Sequence, residues 1–179
     1  MTWTLLVEPQ LRRGQRHWVV DPVHSRAEFN VANFGRTVYG RAPIRNGRLT
    51  TGPRGTPETI SGTVDLGAID TAHARRDRDL RARRLLDLDR YPLMTFTADY
   101  ITDLAGEWRV TGMAQVRGRR VELICTVTRF ILGPDDTVRL LAHAVLDRRE
   151  IGIRAPELTI GRYIAIALNV LLRTETESD

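Results

Sequence analysis

Hydrophobic and polar residues alternate with a period of two over most of the second half of the chain. Trp108, Val110, Gly112, Ala114 and Val116 occupy the even positions, and the odd positions between them are polar apart from Met113. From Val121 the apolar parity becomes odd, through Leu123, Cys125 and Val127. It returns to even at Val138, Leu140, Ala142, Ala144 and Leu146, and again at Ile160, Ile164, Ile166, Leu168, Val170 and Leu172. Successive side chains of a strand point to opposite faces, so runs of this length predict strands with one apolar and one wet face. Antiparallel sheets produce that pattern, whereas parallel sheets bury both faces. Turn-forming stretches at 103–106, 117–120 and 133–136 separate the runs as consecutive hairpins. Earlier strands are predicted over 17–21, 27–34, 37–42, 45–51 and 59–69. About nine candidate strands are more than an open sheet with one solvated face comfortably carries. Closing the sheet removes its edges, so the expected fold is all-β: an antiparallel up-and-down barrel of about eight strands.

One segment departs from this alternation. Residues 74–86 (ARRDRDLRARRLL) read as a short helix, with Asp70 or Thr71 able to cap it and Leu80, Arg76 and Arg84 on one stripe. Tyr91-Pro92 ends it, because the residue before a proline is pushed to extended conformation. The expected organisation is one barrel domain over 16–173, preceded by an N-terminal extension (1–15) and followed by a frayed acidic tail (174–179).

Composition adds constraints. The chain has 179 residues, 42% hydrophobic and 27% charged, as expected for one globular domain. All 27 basic residues are arginine, a bias that a GC-rich coding genome explains, and the net charge of +5 permits contact with phosphates or anionic lipid. The lone Cys125 excludes an internal disulfide and lies on an apolar strand face, where a small buried residue is expected. Glu8-Pro9 interrupts the short apolar stretch near the N-terminus, and no basic residue precedes it. No signal peptide or membrane span is therefore read; the expected location is cytoplasmic, without stable membrane insertion.

Three motifs stand in order along the chain. The first is Asp21-Pro22-Val23-His24-Ser25 with Phe29, Val31, Phe34-Gly35 and Val38-Tyr39-Gly40. The second is Ile69-Asp70-Thr71, Arg76-Asp77, Leu80 and Tyr91-Pro92 with Phe96, and the third is Asp147-Arg148 with Ile151-Gly152. Together they resemble the YceI-like family over residues 18–172. The resemblance implies a lipocalin-like barrel for non-catalytic binding, carriage or sequestration of an isoprenoid lipid, either an isoprenoid quinone or a polyprenyl phosphate, with no cofactor. Physics is consistent with this. A barrel of about eight strands has an interior that side chains fill or that holds one slender ligand, and burying a polyprenyl tail gains about 0.8 kcal/mol per CH₂. On this reading the lumen comprises Phe29, Val31, Phe34, Val38, Leu80, Leu85, Leu86, Met94, Phe96 and Ile151, and the polar rim comprises His24, Arg76, Asp77 and Arg148. Any one of these apolar residues is better explained by core packing; the set gains meaning only around an open volume. Leu85-Leu86 stands where the family commonly has Phe-Phe, and Ile151 where it often has Phe; the loss of aromatics either widens the lumen or suits a different tail, or is a volume exchange without consequence.

The arginines between 75 and 84 could clamp a diphosphate, but Asp77, Asp79, Asp87 and Asp89 balance them as a solvated helix face; Arg76 and Asp77 are set apart by their match to the family motif. An enzyme acting on an isoprenoid or other apolar molecule in the same cavity, through Asp21, His24 or Asp77, is the alternative. Neighbouring His24 and Ser25 point to opposite faces, and the chain has no G-x-S-x-G elbow. No catalytic residue and no metal site are read, since the four histidines are scattered. Nucleic-acid binding is disfavoured because the basic run lacks the aromatics that stack on bases. A homodimer is compatible with the resemblance, and Asp147-Arg148-Arg149-Glu150 reads as a charged turn.

Overall fold

The structure, a computed structural model, describes residues 4, 5, 14 and 16–175. Apart from Thr4, Leu5 and Gly14, the expected N-terminal extension lies outside the described residues, as does the tail beyond Glu175. The strands are β1 (Thr4–Leu5), β2 (Arg16–Val20), β3 (Arg26–Asn33), β4 (Arg36–Thr51), β5 (Pro57–Asp65), β6 (Leu93–Leu104), β7 (Glu107–Val116), β8 (Arg119–Leu132), β9 (Thr137–Asp147) and β10 (Tyr163–Thr174). All pairings are antiparallel. Strands β4 to β10 follow one another around the barrel, and β2 and β3 together fill the remaining place between β10 and β4. The result is a closed barrel of eight strands, all-β apart from one short helix and a 3-10 turn. Among the described residues no helix is long and apolar enough to cross a membrane.

The break between β2 and β3 is the Asp21–Ser25 motif. Asp21 Oδ1 accepts from the backbone N–H groups of Val23 (3.0 Å) and His24 (3.2 Å), which turns the chain out of the sheet. Its other oxygen accepts from His24 Nδ1 at 3.0 Å and Arg173 Nε at 2.8 Å. Ser25 Oγ then accepts from the Leu171 N–H at 2.9 Å, returning the chain to β10. Asp21 therefore ends β2 by leaving the sheet, where a strand to 21 was expected.

Other boundaries differ for identifiable reasons. The two strands expected over 37–42 and 45–51 are one, because a bulge at Arg45 switches the inward parity from Ala42 and Ile44 to Leu49 and Thr51. The strand expected to reach residue 69 ends at Asp65 and tightens into a 3-10 turn, Leu66–Ala68. Thr174 pairs with Trp18, and the Glu175 N–H donates to the His17 carbonyl at 2.8 Å, so β10 continues into the segment expected to fray.

The core is filled most heavily at the end where the β6–β7 and β8–β9 turns lie. Trp18, Trp108 and Phe130 are buried there, with the Trp108 and Phe130 ring centroids 4.1 Å apart at 57°. At the opposite end run the longer connections, residues 66–92 and 148–162.

Asp21 generates a pH prediction. Partial desolvation pushes its carboxyl up, but hydrogen bonds from Arg173 and His24 outweigh this and hold it at about 2. A carboxyl lowered in the folded state stabilises above its unfolded pKa, and that stability is lost as pH falls towards the folded value. Thermal unfolding between pH 5 and pH 2 is expected to fall less steeply for Asp21→Asn than for the natural chain. Parallel curves would remove Asp21 from the acid response.

Candidate functional site

Between the long connections the barrel opens into a cavity of about 580 Å³. Its walls include Phe29, Val31, Phe34, Val38, Leu80, Leu85, Leu86, Met94 and Ile151, nine of the ten predicted lumen residues. Phe96, the tenth, lines a deeper chamber of about 130 Å³ with Val110, Leu123, Leu140, Ile166 and Leu168. Phe29 and Met94 border both spaces and so form the partition between them. Gly112 gives the Phe96 ring its place: a Cβ there would lie 2.7 Å from Phe96 Cζ.

Leu66, Ile69, Val116, Leu146, Ile153, Ile160 and Ile164 also line the outer cavity. Leu146 and Ile164 were recoverable from strand parity. Ile153 sits in a connection without periodicity, so no pattern marks it; Ile160, counted with the apolar run of the last strand, lies in that connection because β10 begins only at Tyr163.

The helix is shorter than predicted: α1 spans Ala74–Leu80, and residues 81–90 continue as turns. It is capped neither by Asp70 nor by Thr71; His73 Nδ1 accepts from the Arg76 N–H at 3.3 Å. Thr71 instead receives the Arg-Asp pair. Asp77 Oδ1 accepts from the Thr71 N–H (3.0 Å) and hydroxyl, while Arg76 donates through Nε to Thr71 Oγ1 (2.9 Å) and through Nη2 to the Thr71 carbonyl (3.0 Å). Reciprocal backbone bonds of 2.9 Å between Arg41 and Asp70 fasten this segment to β4. Arg76 reaches the cavity wall, but Asp77 does not. His24 is also absent from the wall, because it sits on the exposed β2–β3 break.

Arg148 overturns the charged-turn reading of 147–150. Its side chain is 1% exposed and lines the cavity. Nε donates to the Gly161 carbonyl at 2.9 Å, Nη1 to Ile153 at 2.8 Å, and Nη2 to Ala155 at 2.6 Å and Ile160 at 2.9 Å. The guanidinium thus organises the connection between β9 and β10 from inside, with no carboxylate partner among the described residues. Arg117 adds a second clasp, donating to the Ile151 carbonyl at 2.9 Å and the Arg83 carbonyl at 2.7 Å. It ties the two long connections together.

The charge around the opening is one-sided. Among the described residues Arg76, Arg84, Arg148 and Arg154 line it, against Asp79 as the single carboxylate. Among the described residues no histidine or cysteine lines the outer cavity; Cys125 borders the deeper chamber, where desolvation raises its thiol to about 11. Among the described residues, no three His, Cys, Asp or Glu side chains lie close enough to share a metal.

Comparison with known proteins is consistent with this geometry. The sequence model of the YceI-like domain matches residues 18–174. Protein YceI of Salmonella arizonae is 26% identical over 97 residues, covering 53% of this chain and 51% of the relative. A UPF0312 protein of Pectobacterium carotovorum matches at the same identity over 50% of its length, so the chain spans about half the length of these curated relatives. Two solved structures share the fold. Burkholderia cenocepacia BcnA has a TM-score of 0.76 at 15% identity, covering 85% of this chain and 98% of its own. A polyisoprenoid binding domain from Saccharophagus degradans, implicated in plant cell wall breakdown, has a TM-score of 0.63 at 14% identity, covering 88% and 98%.

Arg148→Lys tests the internal clasp. A lysine keeps the charge but loses the planar fork, so the variant is expected to lose about 2–4 kcal/mol in urea unfolding. Hydrogen exchange should accelerate at the Ile153 and Gly161 amides more than in the β7–β8 hairpin. Unchanged protection there would mean that the connection holds itself.

Proposed function

The chain belongs to the YceI-like family, and from that premise we propose that it binds and carries an isoprenoid lipid without converting it. The observation that carries this reading is the apolar cavity of about 580 Å³ continuing, past Phe29 and Met94, into a second apolar chamber. A long slender tail suits two apolar spaces in series better than a compact ligand does, and each buried CH₂ contributes about 0.8 kcal/mol. The shared fold with a polyisoprenoid binding domain supports the same ligand class.

The polar end of the ligand belongs at the opening. Arg148 is a desolvated cation without a carboxylate partner among the described residues, and Arg76, on the other long connection, also lines the cavity. An anionic head, such as the phosphate of a polyprenyl phosphate, would balance this charge, and arginine forks suit phosphate oxygens. A quinone ring would be held by the same groups through its carbonyl oxygens, more weakly. Catalysis by general acid and base would require two ionisable groups with opposed pKa shifts. Among the described residues the cavity wall offers Asp79 alone as an acid or base of that kind.

Native mass spectrometry of the purified protein, followed by extraction, tests the proposal; the expected result is one isoprenoid per chain. An apo mass that persists after incubation with polyprenyl phosphates and isoprenoid quinones would defeat it. Arg76→Ala is expected to weaken a polyprenyl phosphate at least about tenfold while changing the corresponding alcohol far less, as loss of a charge-assisted hydrogen bond implies. Phe29→Ala should shift preference towards longer tails across a series of increasing isoprenoid length. An unchanged length profile would remove Phe29 from the partition role.

A further inference from the structure

The lip of the cavity carries two apolar side chains where folding alone gives no reason for them. Phe34 and Gly35 form the two-residue turn between β3 and β4, with φ of 47° and 74° and Asn33 paired to Arg36 across it. Turns with positive φ at both central residues favour Asn-Gly, and a bulky aromatic in that conformation is an outlier. The Phe34 side chain is nevertheless 72% exposed, so it gains little burial in return. Leu158 is 86% exposed on the neighbouring connection. It is held outward by an ordered turn, in which the Thr159 N–H (2.9 Å), Thr159 hydroxyl (2.7 Å) and Ile160 N–H (3.1 Å) all donate to the Pro156 carbonyl. The Phe34 N–H donates to the Thr159 carbonyl at 3.3 Å, which sets the two tips side by side.

Arginines flank them. Arg36 follows the Phe34 turn and is exposed, and Arg84 and Arg154 are exposed on the cavity wall. None of the three forms an ion pair with another described residue. Asp79 and Glu157 are the carboxylates nearby, so the lip remains positive.

We propose that this lip docks on an anionic lipid bilayer, with Phe34 and Leu158 entering the headgroup–acyl boundary and Arg36, Arg84 and Arg154 contacting lipid phosphates. Apolar tips ringed by basic residues are the recognised chemistry of peripheral membrane binding, and arginine near an anionic leaflet adds attraction that salt screens. Docked this way, the cavity opening faces the bilayer, so an apolar tail can cross between the two without meeting bulk water. That consequence rests on the lipid-carrier reading; the docking itself does not.

The test is flotation of the purified protein with vesicles of phosphatidylcholine alone, or of phosphatidylcholine with phosphatidylglycerol, neither containing any isoprenoid. A chain that carries no isoprenoid can still pass, and one that carries it can still fail. The expected result is binding to the phosphatidylglycerol vesicles that weakens with added salt. Phe34→Asn with Leu158→Ser should bind about tenfold or more less tightly, as loss of two inserted side chains implies. Because asparagine tolerates positive φ, Phe34→Asn alone should melt at or above the temperature of the natural chain. The proposal is overturned if the natural chain ignores phosphatidylglycerol vesicles or if the double variant floats equally well. A lower melting temperature for Phe34→Asn, or sedimentation showing the lip covered by a second copy of this chain, would overturn it too.

Discussion

Closure of the barrel commits the inward half of every strand to one enclosed space, and the residues that fill that space decide what the molecule can do. At one end the filling is complete: Trp18, Trp108 and Phe130 occupy it with Leu49 and Val138. Higher up, several inward positions are small. Gly62, Ala142 and Ala144 border the deeper chamber, and Gly40 borders the outer cavity. Small side chains on opposing walls cannot meet across a barrel of this width, so volume remains. The aromatic end acts as the floor of this space, and the small positions above it leave part of the volume open.

The open end has a different need, because two long connections, anchored in the core by Leu66, Leu88, Ile151 and Ile153, must also be held in shape over the cavity. Guanidinium groups do this by donating to backbone carbonyls. Arg148 collects those of Ile153, Ala155, Ile160 and Gly161; Arg117 joins Ile151 to Arg83; and Arg76 grips Thr71. A planar fork can satisfy several carbonyls in fixed directions, whereas an ammonium is a point charge on a flexible stem. In a chain whose 27 basic residues are all arginine, part of the basic composition thus serves internal architecture. Carbonyl oxygens stabilise the buried Arg148 charge without cancelling it, which is why the opening keeps a positive character.

What was legible in the sequence follows from this division. Strands β7, β9 and β10 declare themselves because their inward parity is unbroken; in β8 it holds from Val121 to Val127, which marks Cys125 as buried, and then switches at a bulge to Phe130. Where parity slips, the reading slipped with it: the bulge at Arg45 made one long strand look like two. The helix was drawn too long because Arg83, Arg84, Leu85 and Leu86 suit a helix by composition, yet Leu85 and Leu86 turn inward to line the cavity. By composition 147–150 looks solvated, yet Arg148, which the family motif puts at the polar rim, is buried on the cavity wall through contacts with residues up to thirteen positions away. His24 was placed at the rim through its motif, while its geometry belongs to the strand break. Volume itself has no signature in a linear pattern.

The two-chamber arrangement carries an energetic asymmetry. The deeper chamber, about 130 Å³ and lined almost wholly by apolar side chains, offers water too few partners and is expected to stay dry. Left empty, a void of that size costs on the order of 3 kcal/mol at the roughly 24 cal/mol per Å³ measured for engineered cavities. A ligand that stops at Phe29 and Met94 leaves this cost in place, whereas a tail that displaces them removes it and adds its own burial. Reaching the second chamber therefore changes affinity by more than the added carbons alone would give. The partition, two side chains with several rotamers each, becomes the element through which tail length is read. A barrel floored by tryptophan then sets the upper limit, since Trp18 and Trp108 are too tightly packed to yield.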